Sequence, residues 1–258
     1  MARLIDGTAP NPTPLEKVLV TLVKKTFVQP AQLTVSDLEP LREIVGDDAL
    51  DYTLVVGSFH FINRMADLLD VPVEALPKPL RRFEALRRLS VWLGSLMMAR
   101  MDLVNRAYPV SYKEALENIR PLLEPSRGSL RDKELQPLQS RPKMIEALQL
   151  ALEERDVRSS LDRETLAKIH RVVEEGLPAN INEAEGFHDL PKDPVERFAF
   201  VGTRYAHRTT TDMIEALRQE GYDDIGILDL AIAVAEANQW ARIHRLLGLD
   251  PALYHIRS

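Results

Sequence analysis

The chain has 258 residues, 45% of them hydrophobic and 28% charged, which suffices for one large or two small packed domains and excludes a disordered chain. Its net charge is −6 and its pI 5.6, so the overall basic footprint of a nucleic-acid binder is missing. It contains no cysteine, which removes disulfides, thiolate zinc ligands and thiol nucleophiles together.

The opening stretch 1–14 lacks the apolar centre of a secretory signal, so a cytoplasmic location is expected. Apolar residues then recur at spacings of three and four through most of the chain, with no alternating strand pattern, which predicts an all-α fold. Helices are expected near 14–27, 36–45, 48–69, 79–104, 111–123, 141–154, 162–175, 193–206, 212–220 and 223–247. Five of them carry a start signal with a capping residue and Glu three positions later: TPLE at 13–16, SDLE at 36–39, SYKE at 111–114, DPVE at 193–196 and DMIE at 212–215. The third and last helices are long enough, at 1.5 Å per residue, to run about 30 Å. The basic run Arg81, Arg82, Arg87 and Arg88 has helical spacing and reads as a solvated face. The most apolar stretch, 89–104, is interrupted by Arg100 and Asp102, so no membrane partner is expected. The polar stretch 124–142, with Pro, Ser and Gly, reads as a linker between an N-terminal half, 1–125, and a C-terminal half, 126–258. A second long loop runs over 176–194.

Each half contains a similar unit. In 14–72 and 193–251, Glu16 corresponds to Glu196 at the first helix start. Thr34, Glu39, Leu41 and Arg42 correspond to Thr210, Glu215, Leu217 and Arg218. The pair Asp47–Asp48 corresponds to Asp223–Asp224, Arg64 to Arg242, and Leu68–Leu69 to Leu246–Leu247. Matching caps, turn and exit predict an internal duplication, two helical units packed with pseudo-two-fold symmetry.

The segment IEALRQEGYDD at 214–224, followed by a long helix ending AEANQWAR and LGLDP, resembles the alkylhydroperoxidase D-like, or carboxymuconolactone decarboxylase-like, family. In the first unit SFHFINR keeps Phe59, Asn63 and Arg64, with His60 where the family's first Asn would stand. The second unit keeps Asn238 and Arg242. The resemblance implies an all-α bundle and a homo-oligomer. Its peroxidase branch works through a Cys-x-x-Cys pair, which would fall in 169–190; with no cysteine, thiol peroxidase activity is not expected. The decarboxylase branch leaves open a cofactor-free lyase or isomerase acting on a small molecule.

For such chemistry the nearest groups are Glu183, Glu185 and His188, a carboxylate–imidazole set in a loop that otherwise reads as solvated. The same set only weakly suggests a metal, since no established ligand spacing is present. His207 stands at an expected helix end, where a capping role competes with a catalytic one. Tyr205 beside it reads as a core aromatic or a proton donor. His60, Asn63 and Arg64 share one helix face, as do Asn238 and Arg242. These either hold carbonyls and carboxylates such as Asp67 or Asp70, or line a small-molecule pocket or a subunit contact. Walker A, G-x-G-x-x-G and G-x-S-x-G motifs are all missing, and no cofactor is expected.

Overall fold

The computed structural model describes residues 11–69, 111–119, 135–146, 160–181 and 189–249. Every regular element among them is helical, as the periodicity predicts. We number the α-helices α1 (Pro14–Val28), α2 (Glu39–Val45), α3 (Ala49–Leu68), α4 (Tyr112–Ile119), α5 (Arg163–Gly176), α6 (Pro194–Arg204), α7 (Thr211–Gln219) and α8 (Asp224–Leu247). None is long and apolar enough to cross a membrane. The expected helix at 79–104, and the basic run within it, lie outside the described residues.

The start signals are realised with two changes of register. At α1, Thr13 Oγ1 accepts from Glu16 N at 3.2 Å while Glu16 Oε2 accepts from Thr13 N at 2.8 Å, a complete capping box. Ser111 Oγ accepts from Glu114 N at α4. Asp193 Oδ1 accepts from Val195 N and Glu196 N at α6; the Glu196 carboxylate turns away to Arg171 instead of returning to the cap. The expected box over Ser36 and Glu39 does not form. Thr34 and Asp37 make it instead, around a 3-10 turn at Val35–Asp37. Pro40 has no N–H and fits only the first turn of a helix, so α2 begins at Glu39. The box over Asp212 and Glu215 is likewise absent: α7 begins at Thr211, and Glu215 bonds Arg218.

Two segments pass through the same sequence of elements. α1 ends at Gln29, whose N–H reaches Lys25 O with φ −133° and ψ 49°; α6 ends at Tyr205, whose N–H reaches Val201 O with φ −145° and ψ 56°. A 3-10 turn follows each, Pro30–Gln32 and Ala206–Arg208. Then come the short helices α2 and α7, where Arg42 pairs with Glu39 and Arg218 with Glu215, and where Leu41 and Leu217 are both fully buried. The long helices α3 and α8 close each segment.

α3 and α8 pack on each other more extensively than any other described pair, and they exchange ends. One core gathers Leu22, Leu33, Leu38, Leu41 and Leu50 of the first segment with Ile243, Leu246 and Leu247 from the end of α8 and Leu249 just beyond it. The other gathers residues of α5, α6, α7 and the first part of α8 with Leu68 from the end of α3. Each buried Leu, Ile or Phe contributes about 1.5–3 kcal/mol relative to exposure, so neither segment completes its own core. Helix α6 approaches closely at Gly202, where an added Cβ would lie 2.8 Å from Val234 Cγ1 and 3.0 Å from Leu68 Cδ2.

The expected linker is structured at its C-terminal end. Leu135 and Leu138, which cap and end the 3-10 turn Gln136–Leu138, are 0% and 2% exposed in the first core, and Arg141 pairs with Asp48 and Asp51. Two leucines and one arginine of the polar stretch thus dock it on the first segment. The loop after α5 is also held: Pro178 O and Ala179 O accept from Ala31 N and Gln32 Nε2, and Ile181 N donates to Val28 O.

Candidate functional site

Four of the sequence-predicted binding residues meet where α3 crosses α8. His60, Arg64, Asn238 and Arg242 are all buried, and two threonines, Thr26 near the end of α1 and Thr203 near the end of α6, join them.

The hydrogen bonds form two parallel arms. In the first, Arg64 Nη1 donates to His60 Nδ1 at 3.1 Å, His60 Nε2 donates to Thr26 Oγ1 at 3.0 Å, and Thr26 Oγ1 donates to Val23 O at 2.7 Å. Both ring nitrogens are thereby assigned: Nε2 carries the proton and Nδ1 the lone pair. In the second, Arg242 Nη1 donates to Asn238 Oδ1 at 3.1 Å, Asn238 Nδ2 donates to Thr203 Oγ1 at 3.1 Å, and Thr203 Oγ1 donates to Ala199 O at 2.7 Å. A neutral imidazole in one arm thus does what a carboxamide does in the other.

Each arginine also crosses to the opposite segment. Arg64 Nη2 donates to Thr203 O at 3.2 Å, and Arg242 Nε donates to Thr26 O at 2.9 Å. These carbonyls lie in the last turns of α6 and α1, where a helix runs out of its own donors. Among the described residues the arginines use carbonyls; Asp67 is exposed and forms no hydrogen bond with Arg64, and Asp70 lies outside the described residues.

Burial dominates the electrostatics. It lowers Arg64 to about 10 against the weaker opposing pull of Asp67. It lowers Arg242 well below its usual range, helped by Arg64 and Arg245 and opposed by Glu174. His60 is pushed well below 6.5 by burial first and then by Arg242 and Arg64, so the imidazole is neutral at pH 7.

The remaining predicted residues are dispersed. Asn63 is half-buried and stands outside the network, although it shares the His60 face by spacing. Tyr205 is buried, caps the end of α6 and carries the Arg208 guanidinium 4.5 Å from its ring centroid. His207 is exposed in the 3-10 turn Ala206–Arg208. Glu183, Glu185 and His188 lie outside the described residues.

A second polar cluster, not anticipated from the sequence, lies between α5 and α8. Glu174 Oε1 is 2.8 Å from His244 Nε2, and Glu174 Oε2 accepts from Arg245 Nη2 at 2.6 Å. Arg245 Nη1 returns to Ala241 O at 2.6 Å. The available signal was the Ile-His-Arg tripeptide, which occurs both at 169–171 in α5 and at 243–245 in α8. No group of three metal-ligating side chains occurs among the described residues.

Beside the crossing lies a cavity of about 230 Å³, lined mainly by apolar side chains including Leu54, Met144 and Ile243, with Ser58, Glu236 and Gln239 as its polar members. None of the predicted site residues lines it. Compared with protein-family models, curated proteins and solved structures, the chain matches none.

Proposed function

We propose that this chain is an internally duplicated, cysteine-free relative of the alkylhydroperoxidase D-like proteins that works by binding and assembly, without thiol peroxidase chemistry. The duplication is supported by the two arms of the α3–α8 crossing, which repeat the same donor–acceptor chain and exchange their arginine contacts between segments. A pseudo-two-fold relation between the units accounts for that exchange.

The observation that carries the functional reading is the use of the polar cluster. His60, Arg64, Asn238 and Arg242 direct their hydrogen bonds to helix carbonyls, to each other and to two threonines, while the neighbouring cavity is mainly apolar. That arrangement favours holding a small, largely apolar molecule over acid–base turnover. Assembly into a homo-oligomer is supported by Val55, Phe59 and Ile62, which are 53%, 57% and 52% exposed and fall at i, i+4 and i+7 along α3.

Light scattering on the purified full chain tests the assembly directly. A homo-oligomer is expected, and Phe59→Asp is expected to shift it to monomer with the helical circular dichroism retained. A wild-type monomer at all accessible concentrations overturns the assembly role. Consumption of an organic hydroperoxide with a dithiol reductant, above a buffer blank, overturns the non-peroxidase reading.

A further inference from the structure

Among the described residues, no carboxylate pairs with either guanidinium group at the α3–α8 crossing. Arg64 and Arg242 are 8% and 1% exposed. Their hydrogen-bond acceptors are all neutral: His60 Nδ1, His60 O and Thr203 O for one, and Thr26 O, Asn238 O and Asn238 Oδ1 for the other. Neither arginine forms an ion pair among the described residues. Asp67 and Glu174 act on them only through space, Asp67 from an exposed position and Glu174 with its oxygens already held by His244 and Arg245.

Two donors at the same crossing are also left over. Arg64 Nε and Arg242 Nη2 are sealed from solvent and have no hydrogen-bond partner. A buried unsatisfied donor points to a missing water or ion. A water would satisfy an N–H and leave both charges in the interior without a counter-charge. An anion accepts the hydrogen bond and neutralises the charge together.

We propose that the Arg64–Arg242 pair encloses a small monovalent anion of the halide class, held by Arg64 Nε and Arg242 Nη2 as the counter-ion of the helix crossing. Because both donors are closed off from the surface, the ion enters as the chain folds and not through a channel. The site is independent of the family resemblance, since it follows from the buried charges alone.

The direct test replaces chloride by bromide during refolding, followed by crystallisation and an anomalous map at the bromine edge. A peak within hydrogen-bonding distance of Arg64 Nε or Arg242 Nη2 is expected. Density without anomalous signal at that position, or bromide confined to the surface, overturns the proposal. In solution, chloride is expected to raise Tm saturably, by about 2–4 °C over gluconate at equal ionic strength. That difference is expected to disappear in Arg64→Met, which removes one charge at similar volume. Equal Tm in the two salts overturns the proposal whether or not the variant folds.

Discussion

His60 and Asn238 show how two unlike side chains can fill one role. Each accepts from an arginine one turn later and donates to a threonine hydroxyl. The carboxamide has no titration to offer, whereas the imidazole has one that burial and two arginines hold far down. Above pH about 6.5 the residue is neutral in both folded and unfolded chains, and its contribution is fully present. Below that, the unfolded chain binds a proton that the folded chain refuses. Stability therefore falls by roughly 1.4 kcal/mol per pH unit until the folded pKa is reached. Denaturant titrations at pH 7.5 and 5.5 are expected to show this loss, and His60→Asn is expected to remove most of it. A wild type equally stable at both pH values contradicts the assigned neutral tautomer. In the other arm, Thr203→Val keeps the shape and removes the hydroxyl between Asn238 and Ala199. A loss of about 1–3 kcal/mol is expected in the same titration, the cost of an unsatisfied buried amide.

At the level of single helices, caps and close approaches set the boundaries. Asp193 accepts two backbone N–H groups at the start of α6 and also receives Lys168 Nζ at 2.8 Å from α5. Its carboxyl is lowered by those donors in spite of burial, which is the largest single influence and acts the other way. Asp193→Ala is expected to cost about 1–2 kcal/mol, read as a fall in Tm. Gly202→Ala tests the α6 contact. Helix propensity alone would favour Ala by about 1 kcal/mol, but the new Cβ would press on Val234, a stiff β-branched residue, and on Leu68. A net destabilisation of about 1–3 kcal/mol is expected; a neutral or stabilised variant would show that α6 can move away from α8 freely.

The exchanged ends of α3 and α8 tie the two cores to each other. Leu68 completes the core of the second segment, and Ile243, Leu246, Leu247 and Leu249 complete the core of the first. Urea unfolding followed by far-UV circular dichroism and by Trp240 fluorescence, in a Trp92→Phe background, is therefore expected to give one coincident transition. Truncation before Ile243 is expected to abolish that transition, although the helix it shortens, α8, begins in the other segment. Two separated transitions in the full chain would mean that each segment folds on its own.

Sequence periodicity determined the helical class, because an apolar stripe at 3.6-residue spacing is a local property of the chain. The boundaries of α1, α3, α5, α6 and α8 were legible for the same reason, as were the Thr13 and Asp193 caps. Local chemistry also misled where two capping sets overlapped, since Pro40 moved the cap from Ser36 to Thr34. The shared face of His60 and Arg64 could be read from spacing, as could that of Asn238 and Arg242. Only the tertiary structure could decide that the four meet, that Asn63 stays outside, and that Glu174 joins His244 and Arg245 across 70 residues. Helix spacing tells which side chains share a face, but what that face meets depends on how α3 and α8 cross. At that crossing the polar faces close over each other and are buried together.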